Sequence, residues 1–104
     1  MILFKRKFQE AIRSGAKTQT IRFWRQALAR PGELHKVPGV GYLRIREVAE
    51  VSVEALTEAD ARADGFESLA ALKEELGRLY GGALRDGRRC FRIAFEFVGK
   101  EKPV

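Results

Sequence analysis

The sequence predicts an α+β fold: a curved, mostly antiparallel sheet or small barrel with helices packed outside it. Three observations carry that expectation. The run Arg89-Cys90-Phe91-Arg92-Ile93-Ala94-Phe95-Glu96-Phe97 alternates, with Phe91, Ile93, Phe95 and Phe97 pointing one way and Arg92, Ala94, Glu96 and Val98 the other, as in a strand with one face on a core. Two other segments show helical spacing instead. Strands and helices do not follow one another with the regular βαβ spacing of a parallel sheet.

Taken in order, Phe4 to Ser14 is an amphipathic helix with Phe4, Phe8, Ala11 and Ile12 on one side, and Gly15 supplies its stop. Lys17 to Trp24 favours a strand through its threonines, Ile21, Phe23 and Trp24. Arg25 to Gly39 carries the turn signals Pro31-Gly32 and Pro38-Gly39 and reads as an irregular loop. Val40 to Val53 reads as one long or bulged strand. Thr57 followed by Glu58, Ala59 and Asp60 resembles a capped helix start, with Gly65 as its stop. Ser68 caps a second helix carrying Leu69, Leu72, Leu76, Leu79 and Tyr80. Gly81-Gly82 and Asp86-Gly87 form a connector to the closing strand, and Lys100 to Val104 is a frayed tail.

The 104 residues suit one domain spanning 1–104, and 45% hydrophobic with 33% charged residues is the balance of a globular chain rather than a disordered one. Twenty Lys and Arg against 14 Asp and Glu give a net charge of +6, which favours polyanionic partners and also serves solubility. Cys90 is the only cysteine, so no disulfide forms within the chain, and its place in the alternating run reads as a packed side chain. One histidine, His35, with one cysteine does not make a zinc ligand set, so neither metal nor other cofactor is expected. No signal segment opens the sequence and no apolar run reaches bilayer length, so no membrane partner is expected and the setting reads as reducing and cytoplasmic.

The most informative segment is Gly15-Ala16-Lys17-Thr18-Gln19-Thr20-Ile21-Arg22, which gathers a lysine, two threonine hydroxyls and an arginine. In a regular strand Thr18, Thr20 and Arg22 would share one face while Lys17, Gln19, Ile21 and Phe23 share the other. Bringing Lys17 beside Thr20 therefore needs a bulge or kink near Gly15 or Lys17.

Gly15-x-Lys17-x-x-x-x-Arg22 resembles the Gly-x-Lys-x-x-x-x-Arg signature of the ASCH family, small relatives of the PUA-like barrels. An apolar helix before it, a Pro-Gly loop after it, the Gly41-Tyr42 strand, the segment Leu56-Thr57-Glu58-x-Asp60-Ala61-x-x-Asp64-Gly65-Phe66, a Leu-rich helix and a Phe-rich closing strand extend the likeness over nearly the whole chain. The resemblance implies a PUA-like β-barrel with a basic cleft that binds RNA or a modified nucleoside. Some small bacterial members are amidohydrolases that remove the acetyl group of N4-acetylcytidine with a Thr nucleophile, a Lys and a Glu. Thr20, Lys17 and Asp64 stand at the matching positions here, Asp64 one methylene shorter than the family's Glu.

The chemistry of such a set follows from general principles. A threonine hydroxyl is a weak nucleophile at neutral pH, so a neighbouring amine must accept its proton, and that amine needs a pKa lowered by burial or by another cation such as Arg22. A carboxylate at Asp64 would orient the lysine or pass the proton to the leaving amine. For binding, the segment offers Gly15, Lys17, Thr18 and Arg22, with Trp24 and Tyr42 able to stack on a base. Arg25, Arg30, Lys36, Arg44 and Arg46 would either line a basic cleft or scatter as solvated charge. Three further readings stand beside binding: the amidohydrolase, an RNA phosphodiesterase, and a purely structural role that would leave an apolar patch exposed.

Overall fold

Four strands form one antiparallel sheet: β1 (Gln19–Trp24), β2 (Leu34–Val37), β3 (Gly41–Glu50) and β4 (Arg89–Gly99), in the spatial order β1-β4-β3-β2. The computed structural model describes residues 2–80 and 87–103, without the side chains of residues 79 and 80. Helix α1 (Arg6–Ser14) precedes the sheet, while a 3-10 turn (Val53–Ala55), α2 (Glu58–Ala63) and α3 (Leu69–Tyr80) lie between β3 and β4. The connector expected at 81–86 and the last tail residue, Val104, lie outside the described residues, as do the side chains of Leu79 and Tyr80.

The closing strand becomes the inner strand β4 because its alternation suits a sheet covered on both faces. Phe91, Ile93 and Phe95 are buried with Ile12, Leu43 and Ile45 on the α1 side, whereas Cys90 joins Ile21, Phe23, Leu72 and Leu76 on the α2–α3 side. Burial pushes the Cys90 thiol up to about 11, in keeping with packing rather than nucleophilic chemistry. β3 carries two register shifts against β4, between Tyr42 and Leu43 and between Ile45 and Glu47, which bend the long ribbon without breaking it.

Four corrections to the sequence expectations are physical. The sheet is open rather than a closed barrel: β1 and β2 are its two edges, and a four-residue β2 is too short to carry the sheet round to β1. The expected loop over Arg25 to Gly39 contains β2, because Pro38-Gly39 is the turn of a hairpin that pairs Leu34 to Val37 with Gly41 to Arg44. The strand expected to reach Val53 ends at Glu50, where Ser52 accepts the Glu54 N–H and caps the 3-10 turn. β1 begins at Gln19 rather than Lys17, which decides where the lysine points.

The helix starts follow their caps. The Thr57 side chain accepts the Asp60 N–H while the Asp60 carboxylate accepts the Thr57 N–H, an arrangement that starts α2, and Ser68 Oγ accepts the Ala71 N–H at the start of α3. Gly65, at φ +92°, then turns the chain between the two helices. A glycine is favoured there because a side chain resists that left-handed backbone.

Candidate functional site

Lys17 owes its position to the turn after α1. Gly15 takes the left-handed conformation at φ +86°, its N–H bonding Ile12 O, and the Lys17 N–H returns to Ala11 O at 2.9 Å. Thr18 then bridges two elements, its N–H donating to Ala63 O at 2.8 Å and its carbonyl accepting from Phe95 N at 2.9 Å. Lys17 thus sits in a turn before the pleat begins, and its side chain escapes the strand's alternation.

That side chain enters the interior and is 2% exposed. Its Nζ donates to Gln19 O at 3.0 Å and to both the main-chain carbonyl and Oδ1 of Asp64. It also lies 4.8 Å from the ring centre of Phe8 and 5.8 Å from that of Phe4, so the charge is shared between oxygen acceptors and aromatic faces. Asp64, 4% exposed, ends α2 and reaches Lys17 from the opposite side. Its partner Gly65 packs close: a Cβ there would sit 3.5 Å from Lys17 Cδ and from the Phe8 ring.

Burial dominates the titration of the pair. Desolvation lowers the Lys17 pKa against the opposing pull of Asp64, with the nearby Arg22 adding to the fall. Desolvation likewise raises the Asp64 carboxyl, against Lys17, Arg22 and a bond from the Ile21 N–H. Both directions favour loss of charge, so the proton between them is held less firmly by the lysine than in water.

Thr20 and Arg22 complete the cluster from β1. Thr20 is 5% exposed, and its Oγ1 accepts from Arg22 Nε at 3.1 Å. Arg22 also donates through Nη2 to Leu3 O at 2.6 Å and lies 4.9 Å from the Phe4 ring centre. Lys17, Thr20, Arg22 and Asp64 line one cavity of about 110 Å³, walled by Phe4, Phe8 and Phe66 and by Leu72 and Leu76 of α3.

The other residues singled out in the sequence are elsewhere. Gly15 and Thr18 border a separate hollow with Arg46 and Phe97. Trp24 packs on Phe91 with ring centres 5.7 Å apart, and Tyr42 faces Lys36 and Gly99 across the sheet; neither lines the Lys17 cavity. Arg25, Arg30, Lys36, Arg44 and Arg46 are also absent from its lining. Arg46 pairs with Glu96 at 2.5 Å and Arg44 donates to Gly32 O at 3.0 Å. Among the described residues no group of His, Cys, Asp or Glu is gathered as for a metal ion, and no helix is long and apolar enough to cross a membrane.

No family model matches the chain, and no curated protein matches it. Solved structures do. The chain is similar to the ASCH domain from Lactobacillus crispatus JV V101, with a TM-score of 0.73 and 15% identity over 85% of this chain and 68% of that one. It is equally similar to the hypothetical protein PH0355, with a TM-score of 0.75 and 15% identity over 92% of this chain and 95% of that one. A third likeness is to protein EF3133 from Enterococcus faecalis V583, of DUF984, with a TM-score of 0.69 and 19% identity over 88% and 70% of the two chains.

The chain has the fold of an ASCH domain. Within that ASCH-like fold the cavity opens between the start of α1, the turn carrying Lys17 and the flank of α3. Two of its features were not legible as site residues. Phe4, Phe8 and Phe66 read as helix and turn packing, yet they form its walls, and Phe8 meets Phe66 at 5.5 Å between ring centres. Glu75 reads as an ordinary charged position of the Leu-rich helix, yet it is 9% exposed and lines the cavity. Its helical spacing from Leu72, three residues earlier, was the available signal. Glu58 and Glu67, sequence neighbours of Asp64, do not line it.

Proposed function

We propose that the chain binds RNA or a modified nucleoside by taking a single cytidine-type base into this cavity. The observation that carries the reading is the convergence of Lys17, Thr20, Arg22 and Asp64 on one aromatic-walled cavity. Phenylalanine faces offer stacking that every base accepts, and the polar cluster at one wall offers orientation. The scattered pairing of the outer arginines favours recognition of one base over tracking of a long phosphate backbone. Titration calorimetry with cytidine and N4-acetylcytidine tests this reading. Micromolar to millimolar binding lost in Arg22→Ala supports it, and absence of heat with both nucleosides and with a short RNA refutes it.

A second reading, hydrolysis of an N4-acetyl group, draws on the Arg22 bond to Thr20 Oγ1 and on the lowered pKa of Lys17. The guanidinium stabilises developing charge on the threonine oxygen, and a lysine that has passed its proton to Asp64 becomes a base. Thr20 Oγ then attacks the acetyl carbon and its proton goes to Lys17. The carbon–nitrogen bond breaks as N4 takes a proton, and water hydrolyses the acetyl-threonine ester to acetate. Lys17 with its three bonds to oxygen is an ammonium and has no lone pair to offer, so turnover requires that transfer first. Chromatography of N4-acetylcytidine reactions decides: cytidine formed by the native chain and not by Thr20→Ala supports hydrolysis, whereas binding without turnover leaves the binding reading alone.

A further inference from the structure

Asp64 is not the sole carboxylate on the cavity wall. Glu75, on the flank of α3 one turn from Leu72 and beside Leu76, lines the same space. Its side chain is 10% exposed, while its cationic partners Lys5, Lys7 and Arg78 are 48% to 64% exposed. The contrast with Asp64 is chemical. Asp64 is held by the buried Lys17 and by the Ile21 N–H, so its donors are themselves inside the protein. Glu75 accepts from Lys7 Nζ at 3.2 Å and from Arg78 Nη2, with Lys5 Nζ at 3.8 Å. Two hydrogen bonds leave about half of the roughly four lone-pair sites of a carboxylate open. Exposed ion pairs of that kind contribute little energy, whereas the carboxylate itself is largely buried on α3.

An ionised acceptor fixed in an aromatic-walled cavity selects for a ligand that brings an N–H to it. Arg78 and Lys7 keep Glu75 ionised by holding its carboxyl below the usual range. Among base edges, carboxylates accept from the N4 amino group of cytosine. We propose that Glu75 is the specificity-determining residue of the site, accepting the N–H of a 4-amino or 4-acylamino pyrimidine. The assignment rests on the nucleoside reading above and narrows it to bases whose 4-nitrogen keeps at least one hydrogen.

N4-methylcytidine and N4,N4-dimethylcytidine test this directly, because both carry the ring and a methyl group and they differ in whether an N–H remains. The native chain binds the monomethyl nucleoside at least about fivefold more tightly, as loss of one hydrogen bond to a charged acceptor requires. In Glu75→Met the ratio falls to within about twofold of unity, and in Glu75→Gln, which keeps a neutral acceptor, it lies between the two. Lys7→Ala with Arg78→Ala removes the two cations hydrogen-bonded to Glu75 and keeps the native ratio. Equal binding of both nucleosides by the native chain overturns the assignment, as does an undiminished ratio in Glu75→Met. A ratio lost in the Lys7 and Arg78 double variant overturns it too, by showing that only the ion-pair clamp mattered. Failure of every nucleoside to bind refutes the parent reading instead, and the assignment falls with it.

Discussion

At the scale of single residues, Lys17 and Asp64 form the most deeply buried ion pair among the described residues. Both side chains lie almost wholly out of water, where each ion's desolvation is offset by the other and by the polar groups and aromatic faces around them. Removing one partner leaves a bare charge inside. Asp64→Ala should therefore lower stability by about 3–5 kcal/mol in urea unfolding at neutral pH, and a loss below about 1 kcal/mol would contradict a buried ion pair. The exposed pair Arg46 with Glu96 provides the comparison, with Glu96→Ala shifting stability by about 0–1 kcal/mol. Titration gives a second prediction. Because the folded Lys17 has a pKa below 10.5, the unfolded chain holds more protons between that folded value and 10.5, so stability rises with pH across the window. The same sign rule makes the raised Asp64 carboxyl lose stability as pH climbs from 3.8 through its folded value. Thermal unfolding of Lys17→Met followed up to pH 10.5 should lack the Lys17 contribution to that rise.

At the scale of elements, the site depends on two turns. The turn at Gly15 to Thr18 takes Lys17 out of the strand, and the turn at Asp64 to Phe66 brings a carboxylate and an aromatic wall to meet it. Gly65 holds a left-handed backbone at φ +92° with room for a methyl group at ordinary contact distance, so Gly65→Ala should destabilise by about 1–2 kcal/mol through backbone strain alone. Gly15→Ala, at φ +86° with nothing near, should match it; a much larger loss at Gly65 would mean that the α2–α3 turn cannot accept a Cβ against Lys17 and Phe8. Helix limits were largely legible because Thr57, Ser68 and Gly15 are strong caps. The four-residue β2 was not, since Leu34-His35-Lys36-Val37 is too short to alternate visibly and gains its pairing only from β3.

At the scale of the whole molecule the net charge is +6, while the cavity lining sets Lys5, Lys17 and Arg22 against Asp64 and Glu75 and so nearly balances its own charge. Nucleoside binding should then change little between 50 and 500 mM salt. A short RNA should lose affinity with a slope of about −0.7 for each phosphate neutralised, and titrations at four salt concentrations separate the two ligands. A steep salt slope for the free nucleoside would show that long-range charge, not the cavity, drives binding.

The sequence by itself determined the α+β class, the caps, the strand that became the centre of the sheet and the octet Gly15 to Arg22, because each is a local pattern of spacing and residue type. Tertiary structure alone decided that the sheet stays open and that Phe4, Phe8, Phe66 and Glu75 enclose the space beside Lys17 and Asp64, whose meeting across 47 residues of chain the family resemblance implied and no local pattern encodes. Those outcomes depend on which surfaces pack together, and burial is a property of the packed whole that no single segment encodes.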